Sequence, residues 1–224
     1  MPQQIKNTNQ QKGKKKKGPP GKIKLADAMR QLLENKDFHS ITTEEISRTA
    51  GINESLIYRY FGDKRGLLHH VMAAYLEQAH EQIVENLKRI KGAAQKLEVF
   101  IRSTFDIYCN QRVFAKIILI EVRNFPGYFE SDTYQLVRRY SQMMIDIINE
   151  GAAAGEIRED IPPMAIRDMI IGGIEHVLLP ALIFDRDVES NVLSEHLIAI
   201  ILQGIIKKEC SDSSQPKTVE AVYG

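Results

Sequence analysis

Cysteine is scarce in this chain of 224 residues, and the scarcity is informative. The two present, Cys109 and Cys210, lie far apart with no CxxC and no Cys/His ligand spacing. That excludes a disulfide framework and a structural zinc site, so no metal is expected. No apolar core of the signal-peptide kind stands near the start. The longest apolar stretch, Met169 to Phe184, is interrupted by Glu175, His176 and Pro180 and falls short of a bilayer span. A cytoplasmic chain without a membrane partner is the expectation. Alternating strand patterns and internal repeats are missing too. So are the groupings that catalysis uses: no Ser/His/Asp or Cys/His arrangement at workable spacing and no glycine-rich phosphate loop. The adjacent pairs His69-His70 and Glu175-His176 point about 100° apart on a helix and chelate poorly. Neither an enzyme nor a cofactor is expected.

What is present is a soluble composition, 43% apolar and 26% charged, of the globular kind. The net charge of +1 hides an asymmetry. Residues 1–24 hold eight lysines and no acid, which leaves about −7 on the rest. A basic arm ahead of a mildly acidic body suits a polyanionic partner. Residues 1–21 are mostly Gln, Asn, Lys, Gly and Pro, too polar to offset ordering entropy, and are read as a disordered arm. The tail over 211–224 is read as loose.

Between these ends, helical spacing dominates and an all-α fold follows. The first helix spans about 22–35, with Leu25, Ala28, Met29, Leu32 and Leu33 on one face. Two short helices follow, about 43–50 and 54–60, separated by Gly51-Ile52-Asn53. Thr42 and Glu45 form a capping box, Gly51 supplies a left-handed turn residue, and Asn53 caps the next helix. A long helix runs from about 63 to 90. Five more are expected at 93–110, 112–124, 131–154, 163–184 and 189–208, punctuated by Pro126-Gly127, Gly155 and Pro162-Pro163.

A short helix, a tight turn at glycine and a second short helix make a helix-turn-helix, whose second helix fits a DNA major groove. Turn spacing alone also describes an ordinary helical hairpin. The full string is more specific. From Ile41 through Thr42-Thr43, Ile46, Ala50-Gly51 and Ile57-Tyr58-Arg59-Tyr60-Phe61 to Lys64, followed by Leu67-Leu68, it resembles the N-terminal domain of the TetR family of bacterial transcriptional regulators. The resemblance covers about residues 22–82, and the chain length and helix count are similar as well.

The resemblance implies roles residue by residue. Thr43 would bond a phosphate through its hydroxyl and backbone N–H. Tyr58 and Tyr60 would meet phosphate or sugar, and Lys64 a phosphate at the start of the long helix. Glu54, Ser55 and Arg59 take the groove-facing positions. Arg59 can pair with guanine and Glu54 can accept from cytosine, although Glu54 equally suits the helix dipole. Ile46, Ile57 and Phe61 are read as packing, Thr42 as a cap. Ser55 departs from a frequent glycine, Leu56 from a threonine that would donate to phosphate, and Glu44 from a basic or neutral residue. The lysine arm either follows phosphates or a minor groove or serves only as a solubilising tail.

Residues 83–210 are read as a ligand-binding and dimerisation domain. A two-fold dimer reads half-sites about 34–36 Å apart, and the family pairs its last two helices with those of a second copy. Here Met169, Gly173, Val177, Leu193, Leu197, Ile200 and Ile201 are the candidate interface. An effector site between the long helix and those after it would draw on Phe105, Tyr108, Cys109, Glu121, Arg123, Phe125, Tyr140, Met144 and His176, with Arg123 and His176 as polar anchors. Such aromatic and Met stripes also describe plain core. The segment Gly172-Gly173-Ile174-Glu175-His176 is similar to the branch that senses fatty acyl thioesters. The resemblance thus implies a homodimeric repressor on a palindromic operator in double-stranded DNA, released by a small molecule. The alternative is a TetR-like protein without an effector that organises DNA or couples it to a protein partner.

Overall fold

A computed structural model describes residues 18–187 and 189–206. The expected arm up to residue 17 and the expected tail lie outside the described residues. Within them the chain is all-α. Three helices, α1 (Pro20–Leu33), α2 (Thr43–Ala50) and α3 (Ser55–Phe61), precede the long α4 (Lys64–Leu87). Then come α5 (Ala93–Asn110), α6 (Arg112–Lys116), α7 (Asp132–Ala153), α8 (Pro163–Ile183) and α9 (Ser190–Ile205). The first helix begins two residues before the expected start, with Pro20 in its first turn, where a missing N–H does no harm.

The helix expected over 112–124 changes pitch instead. After α6 the chain widens into a π turn at Ile117–Glu121 and tightens into a 3-10 turn at Val122–Asn124. The extra residue in the wide turn re-aims the side chains beyond it. Ile118 and Val122 are both buried, and Phe125 swings out to meet Phe38, with ring centroids 5.7 Å apart.

Capping is local and follows the sequence. Thr42 Oγ1 accepts from Glu45 N at 3.1 Å, Asn53 Oδ1 from Ser55 N at 2.8 Å, and Asp63 Oδ1 from Gly66 N at 2.7 Å. Gly51 stands at φ 64°, the left-handed turn that a Cβ would strain.

One apolar core runs through the molecule. Leu25, Met29, Ile46 and Ile57 meet Leu67 and Leu68 of α4, and the same core continues through Leu97, Phe100 and Phe105 of α5 to α7 and α8. Phe100 and Phe105 are fully buried, each worth roughly 2–3 kcal/mol of apolar burial. The long helix α4 therefore belongs to both halves. Its first turns pack under α1 and α3, its later turns against α5 and α7.

Candidate DNA-binding and effector sites

The helix-turn-helix presents an open polar surface. Ser55, Tyr58 and Arg59 are exposed along α3, with Tyr58 at 54% exposure. Glu54 sits half-buried in the turn before α3, and Thr43 half-buried at the start of α2. Tyr60 faces the other way and packs on the start of α1, against Gly21. Leu56 packs there too, which is why a residue without a donor serves at this position.

Lys64 is engaged inside the chain. Its Nζ donates to the Phe38 carbonyl at 3.0 Å and the Ile41 carbonyl at 2.7 Å and lies 4.3 Å from the Phe38 ring centre. Partial burial lowers its pKa, and neighbouring Arg65 adds to this. Two of its three N–H donors are thus used within the chain, which leaves one for the phosphate contact implied by resemblance. Glu45 pairs with Lys36 Nζ at 2.5 Å, which holds its carboxyl below the usual range.

Behind this surface, the segment carrying the π turn touches the helix-turn-helix half directly. Glu121 meets His39 Nε2 at 3.0 Å, Lys116 approaches Asp37 at 3.9 Å, and Arg65 lies over the Phe125 ring. Glu121 and Phe125, expected to line an effector pocket, stand at this junction instead.

The cavity itself lies between α4, α5, α7 and α8, beside the π turn. Its volume is about 50 Å³. The walls are Leu76, Ala79, His80 and Ile83 of α4; Thr104, Ile107 and Tyr108 of α5; Ile118 and Arg123; Leu136, Val137 and Tyr140 of α7; and Ile171 and Glu175 of α8. Of the expected pocket residues, Tyr108, Arg123 and Tyr140 line it. Phe105 and Met144 are fully buried core. Cys109 borders a separate shallow groove with Arg30 and Arg112, and His176 is exposed on the outer side of α8.

Glu175, not His176, is the polar partner on α8. Arg123 and Glu175 form a two-pronged ion pair, Nη1 to Oε2 at 2.8 Å and Nη2 to Oε1 at 2.5 Å. Glu175 holds the guanidinium firmly charged against the effect of burial. Both side chains keep partial solvent exposure, so the pair stands where the cavity meets the surface. Burial raises the Tyr108 and Tyr140 phenols and lowers the His80 imidazole. The sequence held one signal for Glu175. A lone carboxylate inside the longest apolar stretch, Met169 to Phe184, requires a partner.

On α8 and α9 the candidate interface residues divide. Gly173 and Leu197 pack against each other within the chain, so closely that a methyl on Gly173 would fall 2.7 Å from Leu197 Cδ1. Val177, Leu193 and Ile201 are half-buried against the core. Met169 at 66% and Ile200 at 70% are exposed, as are Val192, Ile183 and Phe184. Among the described residues no helix is long and apolar enough to cross a membrane.

The model of the bacterial regulatory proteins of the tetR family matches residues 25–71, and that of the YsiA-like protein C-terminal region matches residues 70–204. The fatty acid metabolism regulator protein of Bacillus subtilis (strain 168) is 23% identical over 189 residues, 84% of this chain and 97% of its own. The HTH-type transcriptional regulator BetI of Escherichia coli (strain K12 / DH10B) is 30% identical over 84 residues, 37% of this chain and 43% of its own. Among solved structures, FadR of Bacillus subtilis in complex with stearoyl-CoA matches with a TM-score of 0.73 at 23% identity, over 82% of this chain and 98% of that one. FadR of Bacillus halodurans matches with a TM-score of 0.74 at 19% identity, over 84% and 98%. At these identities the structures share a fold.

Proposed function

We propose, for a chain that belongs to the TetR family of bacterial regulatory proteins and is thus a helix-turn-helix DNA-binding regulator of transcription, the role of a homodimeric repressor released from its operator by a long-chain acyl thioester. The observation that carries this reading is the α4–α8 cavity, apolar along its walls and closed at its mouth by an ion pair that neutralises itself. A hydrocarbon chain suits such walls. A free carboxylate finds no unpartnered cation there, because Arg123 is already engaged by Glu175. An acyl group joined to a large polar carrier leaves its charge outside, and the relative solved with stearoyl-CoA supports that class.

The size of the cavity supplies the mechanism. Sites for molecules of this size hold roughly 300–1,000 Å³, far above the 50 Å³ present. An acyl chain must therefore spread the walls, and four wall residues belong to α4. That helix starts directly after the recognition helix α3. Spreading also moves Ile118 and Arg123, whose segment meets Phe38 and His39. The filled form thus holds the two recognition helices at a different spacing, and ligand binding shifts the population away from the DNA-competent form.

Stearoyl-CoA added to an operator complex is expected to release the DNA at low micromolar concentration, while sodium stearate below its micelle threshold leaves it bound, as read by fluorescence anisotropy. Release by both alike removes the neutral-chain argument. DNA affinity unmoved by acyl-CoA of any chain length points instead to the DNA-organising role.

The exposed faces of α8 and α9 support the dimer. Large apolar residues open to water on α8, just past its end at Phe184, and on α9 suit a covered face. Ile200→Glu is expected to give a folded monomer by analytical ultracentrifugation, since Ile200 makes little contact within the chain. Operator affinity should fall by about 100-fold or more as one half-site is lost from the complex. An unchanged dimer would move the interface elsewhere.

A further inference from the structure

Two buried side-chain polar atoms lack a hydrogen-bond partner among the described residues, and both belong to α4: the Tyr75 hydroxyl and His80 Nδ1. Leaving such an atom unpaired costs about 1–3 kcal/mol, and each case in a folded protein needs a reason. Their placement suggests one. His80 lines the cavity, one helical turn after Leu76, which lines it too. Tyr75 stands one turn before Ala79, another wall residue, and its ring stacks on Phe114 with centroids 5.3 Å apart.

The neighbouring hydroxyls are already assigned. Thr104 Oγ1 donates to the Phe100 carbonyl at 2.8 Å and stands 2.8 Å from the Tyr140 hydroxyl. With the threonine proton used on Phe100, the Tyr140 proton points to Thr104, and Tyr140 faces the cavity as an acceptor. The set then offers a donor at Tyr75, an acceptor at Tyr140, and an imidazole that serves as either by exchanging tautomers.

We infer that Tyr75 and His80 form a hydrogen-bonding subsite for a neutral carbonyl or hydroxyl oxygen carried on the acyl portion of the effector. The subsite thus rests on the acyl-thioester reading and adds a polar specificity element to an otherwise apolar cavity. Its neutrality has a physical cause. Burial holds the Tyr75 and Tyr140 phenols protonated, and it holds the His80 imidazole uncharged, with Arg139 adding to the effect against Glu77 and Glu81. Tyr108 adds to the cost of ionising Tyr75, and Tyr108 and Tyr75 add to that of ionising Tyr140. A ligand oxygen held by α4 itself also ties effector recognition to the helix that leads to the DNA.

The test is a cycle between ligand group and protein group, with operator release by the full-length dimer as readout. Stearoyl-CoA is compared with S-octadecyl-CoA, a thioether without the carbonyl oxygen, and with 3-hydroxyoctadecanoyl-CoA. The proteins are wild type, Tyr75→Phe and His80→Phe. Wild type should prefer one oxygen-bearing ligand by about tenfold, and either substitution should erase the preference. A thioester preference places the carbonyl in the subsite; a 3-hydroxyacyl preference places the chain hydroxyl there. Tyr75→Phe should also melt no lower than wild type, since it removes an unpaired buried oxygen and nothing else. A hydroxyl with only a structural role would instead lower the melting temperature and leave ligand preference intact. Equal response to all three ligands in wild type overturns the subsite and leaves the acyl-thioester reading standing. No response to any of them overturns both.

Discussion

Replacing Tyr58 by Ala is expected to abolish specific operator binding at ordinary salt while leaving fold and oligomeric state untouched. Tyr58 is 54% exposed in the middle of α3, and among the described residues its side chain makes no hydrogen bond. Truncation therefore removes little packing and should move the melting temperature by a degree or two at most. Its assigned partner is the DNA backbone. Hydrogen bonds to a charged phosphate are worth about 1.5–3 kcal/mol each, and the proposed dimer would make the contact twice. Affinity should then fall by more than about 100-fold, as anisotropy with a labelled operator would record. The phenol carries no charge, so the dependence of residual binding on salt should keep its slope, which tracks cationic phosphate contacts. Full affinity in this variant would displace α3 from the groove.

The second large effect comes from Gly66, in the first turn of α4. Glycine to alanine inside a helix normally stabilises by roughly 0.5–1 kcal/mol, because alanine loses less backbone freedom on folding. Here the sign should reverse. A methyl group on Gly66 would fall 1.9 Å from the Phe61 carbonyl oxygen at the end of α3. That oxygen is backbone and cannot rotate aside, so relief requires moving the recognition helix relative to α4. Overpacking of this kind costs about 1–3 kcal/mol, which at this chain length lowers the melting temperature by roughly 2–12 °C. Operator affinity should drop further than the stability loss accounts for, because the shift changes the angle at which α3 meets DNA. A Gly66→Ala protein as stable and as tightly bound as wild type would mean that the turn between α3 and α4 relaxes freely. The close approach at this turn also explains how movement of α4 is passed to the recognition helix without slack.

Much of the molecule was legible beforehand. The boundaries of α2 at Thr43 and Ala50 follow from a capping threonine, Thr42, and a left-handed glycine, Gly51, nine residues on. Those of α5 follow from Gly92 and the end of an apolar stripe. Such signals are local: a cap, a turn residue and a 3.6-residue period lie within a dozen positions of one another. The segment after Arg112 shows where that logic stops. Its continuous apolar run reads as one helix, and only contacts with Phe38 on one side and the cavity on the other impose the wide turn at Ile117–Glu121.

The two sites divide along the same line. The recognition helix lies within one short string, so its exposed residues could be named from position alone. The cavity draws its wall from five separate segments, and an aromatic stripe looks the same from sequence whether it faces a cavity or solid core. Phe105 and Met144 thus fell into core, and Glu121 and Phe125 went to the domain junction. The α8 side chain that meets Arg123 is Glu175, one residue from the expected His176 and about 100° around the helix. What this sequence determined by itself was the set of helices, their caps and the helix-turn-helix, because hydrogen bonds along a helix close within four residues. The tertiary structure alone decided which faces meet. It engaged Lys64 with two carbonyls, paired Arg123 with Glu175, and left Tyr75 and His80 unpartnered beside a cavity, because those outcomes depend on side chains brought together from dozens of residues away.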